Sequence, residues 1–313
     1  MRIGFGAPVS GIWATPGNLA SFAASAEAAG YASLWTFQRL IVPEGSGMDP
    51  VYHSVLDPMV ALGFLAGATH RIRLGVAVLN MPYLAPGYLA KLATTVDVLS
   101  AGRLDLGLGI GWLPEEFTVA GATMAGRGAR VAEYLEVLRR AWADGVTEFS
   151  GRFYQVPPGR MAPKPVQRPG PPILLAGGVP AALRRAGRLA DGWVTASRTD
   201  LSRIGEGIAL VRGAAEEAGR DPAAIRIVCR GVVRAGAPVT VPEGGGRLLL
   251  SGSYTDIRED AEWLAGQGVT EPFYDLNWDP LIGSPTADPV GAQARAEEIL
   301  AELAPGRDPA LDG

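Results

Sequence analysis

The sequence has little of what enzymes use for direct chemistry: one cysteine, Cys229, and two histidines, His53 and His70, in 313 residues. A lone cysteine forms no internal disulfide, and within the strand-like run IRIVCRGVV it reads as a buried packing residue. The histidines are not at ligand spacing and no HExxH occurs, which argues against a metal centre; no GxSxG elbow points to a serine hydrolase. His70, before Arg71, suits a helix end, whereas His53 falls in a long loop from which it is a candidate to reach a substrate. Charge is sparse too, at 19% of residues with a net of -4 and no basic run, so nucleic acid is not an expected partner. Neither a leader-like start nor an apolar run of about 18 residues is present, and the expectation is a cytoplasmic protein with no membrane partner.

What the chain does have is glycine, and its densest use is the run GRLDLGLGIGWLPEEFTVAGA. Leu104, Leu106, Leu108 and Ile110 alternate with Asp105, Gly107, Gly109 and Gly111, the period of a strand with one branched face and one nearly bare. Glycine in a strand gives up packing, so the bare face either receives a flat ligand or marks close strand packing. These glycines do not form the dinucleotide fingerprint, because its third glycine falls on Trp112 or Pro114.

Period-two segments at 2–8, 32–37, 72–80, 104–111, 173–176, 192–196, 225–233 and 272–277 alternate with helical patterns. The helices are expected at 19–29, from Asp57-Pro58 onward, 88–99, 127–143, 180–190, 201–218, 255–265 and from Asp288-Pro289. In the second helix Leu56, Met59, Val60, Gly63 and Phe64 read as one apolar face; in the fourth, Val131, Leu135, Leu138 and Trp142 do. Eight such units without a composition shift predict one (β/α)8 barrel domain over 1–313, with an open doubly wound sheet as the alternative. Surface insertions are expected after strands two, four and seven, at 38–55 (a candidate lid), 144–172 and 235–246.

Sites in such barrels lie at the carboxyl ends of the strands, which here carry Trp35 to Arg39, Ala77 to Asn80, Gly111, Trp112 and Glu115, and Gly177-Gly178. The paired glycines either cradle a phosphate at a helix start or make a tight turn. With no metal cluster and few nucleophiles, the chemistry is expected to come from an organic cofactor.

These residues resemble a known family. The glycine run, the following RGARVAEYLEVLRRAW, PILLAGGVPAALRRAGRLADGW and the N-terminal AEAAGYASLWTFQRL are together similar to the luciferase-like monooxygenase family, from residue 1 to about 303, and the closing FYDLNWDP is similar to its F420-dependent branch. The resemblance implies a (β/α)8 barrel using either the deazaflavin F420 or FMN, and a homodimer. It implies a bulge in the third strand with a cis peptide at Ala77-Val78 under the cofactor ring. It further implies Gln38, Asn80, Gly111 and Glu115 around the ring and ribityl chain, and Gly177 and Gly178 at the phosphate.

One departure stands out: several F420-dependent relatives carry a histidine where this chain has Arg39, and an acidic residue at the position of Trp112. A guanidinium stays protonated and is no base, but it can stabilise an anion; a surface salt bridge is its other reading. The expected activity is hydride transfer between F420 and a small organic substrate, with reduction preferred, Arg39 as the catalytic candidate, and Trp35, Phe37 and Trp112 walling the pocket. The alternatives are an FMN-dependent two-component monooxygenase and a flavin- or F420-binding protein without turnover.

Overall fold

Short apolar strands buried on both faces need helices over one side and each other on the other, and the computed structural model, described for residues 1–240 and 246–306, meets both needs. The strands are β1 (Gly4–Gly6), β2 (Ser33–Thr36), β3 (Arg73–Asn80), β4 (Leu104–Gly109), β5 (Ile173–Ala176), β6 (Gly192–Val194), β7 (Arg226–Val232) and β8 (Glu271–Asp275). Each pairs in parallel with the next and β8 returns to β1, so the sheet closes as the (β/α)8 barrel; the open-sheet alternative is excluded.

Outside lie α1 (Pro16–Ala28), α2 (Pro58–Ala68), α3 (Pro86–Leu99), α4 (Pro114–Val119), α5 (Val131–Trp142), α6 (Pro180–Leu189), α7 (Ile204–Glu217), α8 (Tyr254–Gly266) and α9 (Pro289–Glu302). Several start where local chemistry dictates: the Asp57 carboxylate accepts from the Met59 and Val60 amides, Asp288 caps α9, and Ser253 and Asp256 form a capping box on α8. On α5 the expected face is buried, with Val131, Leu135, Leu138 and Trp142 all within the core. On α2 it is not. Met59 is buried, but Leu56, Val60 and Phe64 are exposed, and Leu62, Leu65 and Ala66 turn inward instead. That helix is apolar all round, so periodicity alone does not choose its buried side.

The excursion over 144–172 carries an antiparallel pair, Thr147–Ser150 with Gln155–Gly159, hidden in the sequence by Pro157 and Pro158. Of the 235–246 insertion, 241–245 lie outside the described residues; before and after them Arg234–Ala235 pairs with Ser251–Gly252. Among the described residues no helix is long and apolar enough to cross a membrane.

The barrel interior is layered. At the amino-terminal mouth the Asp105 carboxylate is buried between Arg73, whose Nε and Nη2 donate at 2.8 and 2.7 Å, and Arg226, whose Nη1 donates at 2.6 Å. Burial pushes this carboxyl up, but the Arg73 hydrogen bonds and the Arg226 charge outweigh it and hold it below its ordinary 3.8. Above this plug Trp35 stacks on Phe273, centroids 5.2 Å apart, among Leu174, Val194 and Val228.

Asp105→Asn leaves two guanidiniums short of a counter-charge, and urea unfolding is expected to show a loss of about 3–5 kcal/mol. Because the folded carboxyl titrates below its unfolded value, its contribution is complete above that unfolded value and disappears as pH falls through the folded one. The variant's deficit relative to wild type therefore shrinks in acid; an equal deficit at all pH values contradicts this assignment.

Candidate active site

The carboxyl-terminal mouth takes its shape from the seam between β3 and β4. Pairing runs Val76 to Leu106 and resumes at Leu79 to Leu108, leaving one extra residue on β3, and the Ala77-Val78 peptide within this bulge is cis. The bare face of β4 receives it. A Cβ on residue 107 would stand 2.0 Å from the Val76 carbonyl oxygen, and one on residue 109 would stand 2.8 Å from Val78 Cγ2 and 3.0 Å from Asn80 Oδ1. Gly107 and Gly109 thus make room first for the neighbouring strand, the close-packing reading, and the bulge carries the wall inward.

Above the bulge opens a cavity of about 300 Å3. Phe37, Gln38 and Arg39 enter it after β2, Ala77, Val78 and Asn80 from β3, Gly111 and Trp112 after β4, and Gly177 after β5. Gln38 ties two of these walls, its Oε1 accepting the Asn80 amide at 2.9 Å. Gly111 has φ +71° and Gly177 φ +143°, conformations that favour glycine. Gly178 faces an adjoining hollow of about 500 Å3 with Arg198 and Thr199, and Ala196 borders both spaces. At Gly178 a Cβ would meet nothing within 4 Å, so the chain is open where α6 begins.

Two expected residues are elsewhere. Trp35 is no pocket wall: it points inward like Phe37 but sits one layer lower, its indole N–H donating to Ser33 Oγ at 2.7 Å and Glu271 Oε1 at 3.2 Å. Glu115 does not line the cavity and is exposed; the next residue, Glu116, turns inward instead, about 100° round the helix. Glu116 is 1% exposed, accepts the Leu40 amide at 2.9 Å and the Tyr83 hydroxyl at 3.1 Å, and lies 3.0 Å from Arg39 Nη1. Burial first, then the Glu116 charge, raises the Tyr83 phenol well above its ordinary value, so it stays a donor. The Arg39 salt bridge is therefore a buried one, with the guanidinium 4.3 Å from the Tyr52 ring and 5.3 Å from that of Trp112. Arg39 and Tyr52 also border a cavity of about 650 Å3 under the 38–55 loop, which holds His53. His70 is exposed, with its amide on the Glu27 carboxylate. Cys229 is fully buried, and burial pushes its thiol up to about 12, in keeping with a packing role.

The charged cavity residue without a sequence assignment is Arg230 on β7, 6% exposed. Its guanidinium lies 4.8 Å from the Trp278 ring and 5.1 Å from that of Phe37, and its Nε is 3.1 Å from Asp275 Oδ2. Burial lowers the Arg230 pKa and raises that of Asp275, each opposed by the other's charge. The signal was available: Arg226, Val228 and Arg230 share one parity, so both arginines point into the barrel.

The sequence profile of the luciferase-like monooxygenases matches residues 4–238. The chain belongs to that family. The Mycobacterium tuberculosis protein Rv0940c is 34% identical to it over 218 residues, 66% of this chain and 74% of that protein. Among solved structures, the monooxygenase RslO1 from Streptomyces bottropensis superposes with a TM-score of 0.76 at 22% identity, over 97% of this chain and 98% of its own. An F420-dependent secondary alcohol dehydrogenase, in complex with an F420-acetone adduct, does so with a TM-score of 0.76 at 16% identity, over 98% of this chain and 99% of its own. At such identities the likeness concerns the barrel.

The seam makes a paired prediction. Gly107→Ala drives a methyl into the Val76 carbonyl and is expected to destabilise by about 1–3 kcal/mol in thermal unfolding. Gly109→Ala crowds side-chain atoms, with the nearest backbone atom, the Leu79 carbonyl oxygen, at an ordinary 3.9 Å, so it is expected to lose less stability than Gly107→Ala while altering the cavity wall. Equal losses contradict the seam.

Proposed function

We propose that this luciferase-like oxidoreductase uses F420 to move a hydride between the cofactor's C5 and a small organic substrate, with substrate reduction as the favoured direction. The observation that carries this reading is the cavity lined from Ala77 and Val78 through Gly111 to Gly177, with a second hollow, lined by Gly178 and Arg198, beside it across Ala196. The two spaces suit the two parts of the cofactor, a flat apolar ring and an anionic tail. Bound F420 supplies a hydride donor or acceptor at C5.

The chain's own residues would do the rest. Ala77 and Val78 back the ring, Gln38 and Asn80 hold its edge, Gly111 lets it approach the backbone, and Gly177 and Gly178 meet the phosphate where the α6 dipole favours an anion. Phe37 and Trp112 wall the substrate side. The charged side chains lining the cavity, among the described residues, are Arg39 and Arg230. Neither accepts a proton, and both favour negative charge developing on a substrate oxygen, which is why reduction is preferred.

Fluorescence titration of the purified protein with reduced F420 and with reduced FMN tests the cofactor. Saturable F420 binding, followed by F420 reoxidation with members of a panel of enones, quinones and imines, is the expected result. Tight binding of reduced FMN with oxygen consumption points to the two-component monooxygenase instead, and F420 binding without reoxidation across the panel points to a carrier.

The outward face of α2 and α3 supports a homodimer as part of this reading. Val60, Tyr88 and Leu99 are 74%, 60% and 61% exposed and border one apolar groove. Light scattering is expected to give twice the chain mass for wild type and the single mass for Val60→Glu; a wild-type monomer contradicts the dimer.

A further inference from the structure

We infer that the substrate bears a carboxylate and that Arg230 is the residue that selects it. A guanidinium offers five N–H donors, and a buried charged donor without an acceptor is destabilising. Among the described residues, neither Nε nor Nη2 of Arg230 makes a hydrogen bond, although both atoms are buried. Asp275 does not complete the set: its Oδ1 is committed to the Asn277 amide at 3.0 Å and side chain at 2.7 Å, and its Oδ2 approaches Nε without hydrogen-bond geometry. Here the side chain that borders the cavity is a cation with donors to spare. Among the described residues no carboxylate lines the cavity beside it.

Position separates this cation from the cofactor's tail. In the closed strand order β7 stands across the barrel from β3. A ring backed by Ala77 and Val78 therefore turns its open face toward Arg230, while the Gly178 hollow lies along the wall by β5 and β6. The Phe37 and Trp278 rings flank the guanidinium, a setting that suits a planar acid whose apolar body packs on aromatics and whose two oxygens meet a fork of N–H groups. The inference rests on the cofactor reading for the placement of the ring, but not for the binding of the acid.

Calorimetric titration of the cofactor-free protein with trans-cinnamate and with the uncharged trans-cinnamamide tests it. Wild type is expected to bind the acid about tenfold or more tightly than the amide, a preference of about 1.4 kcal/mol. Arg230→Met is expected to abolish the preference. Because that variant strands Asp275, the double variant Arg230→Met/Asp275→Asn, which removes both charges, is measured beside it and is expected to behave alike. Arg198→Met, in the tail hollow, is expected to keep the full preference. Equal affinity for acid and amide in wild type, a preference that survives in the double variant, or one that disappears in Arg198→Met overturns the inference. A protein that discriminates acid from amide yet ignores F420 removes the proposed function alone; one that binds F420 without this discrimination removes the inference alone.

Discussion

The Val76 carbonyl oxygen occupies the place where a side chain at position 107 would stand, and the carboxyl-terminal mouth of the barrel depends on that contact. A parallel strand can carry an extra residue only if its neighbour leaves space for the displaced backbone, and β4 does so by having no side chains at 107 and 109 on its inner face. The displaced residues, Ala77 and Val78, become a ledge above the core. Asn80 is then presented to Gln38, and Gly111 continues the open wall upward. Backbone and glycine make this ledge, so it offers a flat, apolar surface with few groups able to react.

The inward-facing charges follow a different logic at the two ends. At the closed end, Asp105 is held between Arg73 and Arg226, while Glu271 accepts from Ser33, Trp35 and Arg226, so both carboxylates are matched and hydrogen-bonded. At the open end, among the described residues, Arg39 and Arg230 each have one carboxylate close by and retain buried N–H groups without acceptors. Native interiors rarely leave such donors alone. The contrast lies in degree: among the described residues one buried nitrogen, Arg226 Nε, lacks a partner in the plug, against two on each arginine at the mouth, and the mouth is the end with a cavity in which acceptor oxygens of a ligand could stand.

Periodicity made the architecture legible. All eight strands and their following helices were visible as alternating apolar patterns, and Asp57-Pro58 and Asp288-Pro289 marked helix starts by their own chemistry. Height within the barrel was not legible: Trp35 and Phe37 share a parity, yet one is the floor and the other a wall, because period two gives the face and not the level. Which of Glu115, the residue the resemblance implies, and Glu116 turns inward is not legible for a related reason, since one residue is about 100° on a helix and the entry angle after Pro114 is set by tertiary packing. Arg230 belongs to no motif in IRIVCRGVV, and strand parity alone marks it, sending the adjacent Cys229 outward into the helix layer and Arg230 into the barrel. The bare face of β4 is legible in the alternation of glycine and leucine, but what fills it is the neighbouring strand, a fact that only register supplies.

The account centres on the ledge at residues 77 and 78 as the back wall for a flat ring. A crystal structure of the protein soaked with F420 measures this most directly. The ring is expected in van der Waals contact with Ala77 and Val78, its other face turned toward Arg230 and its phosphate beside Gly177 and Gly178. Density for the ring beneath the 38–55 loop, away from that ledge, would contradict the account.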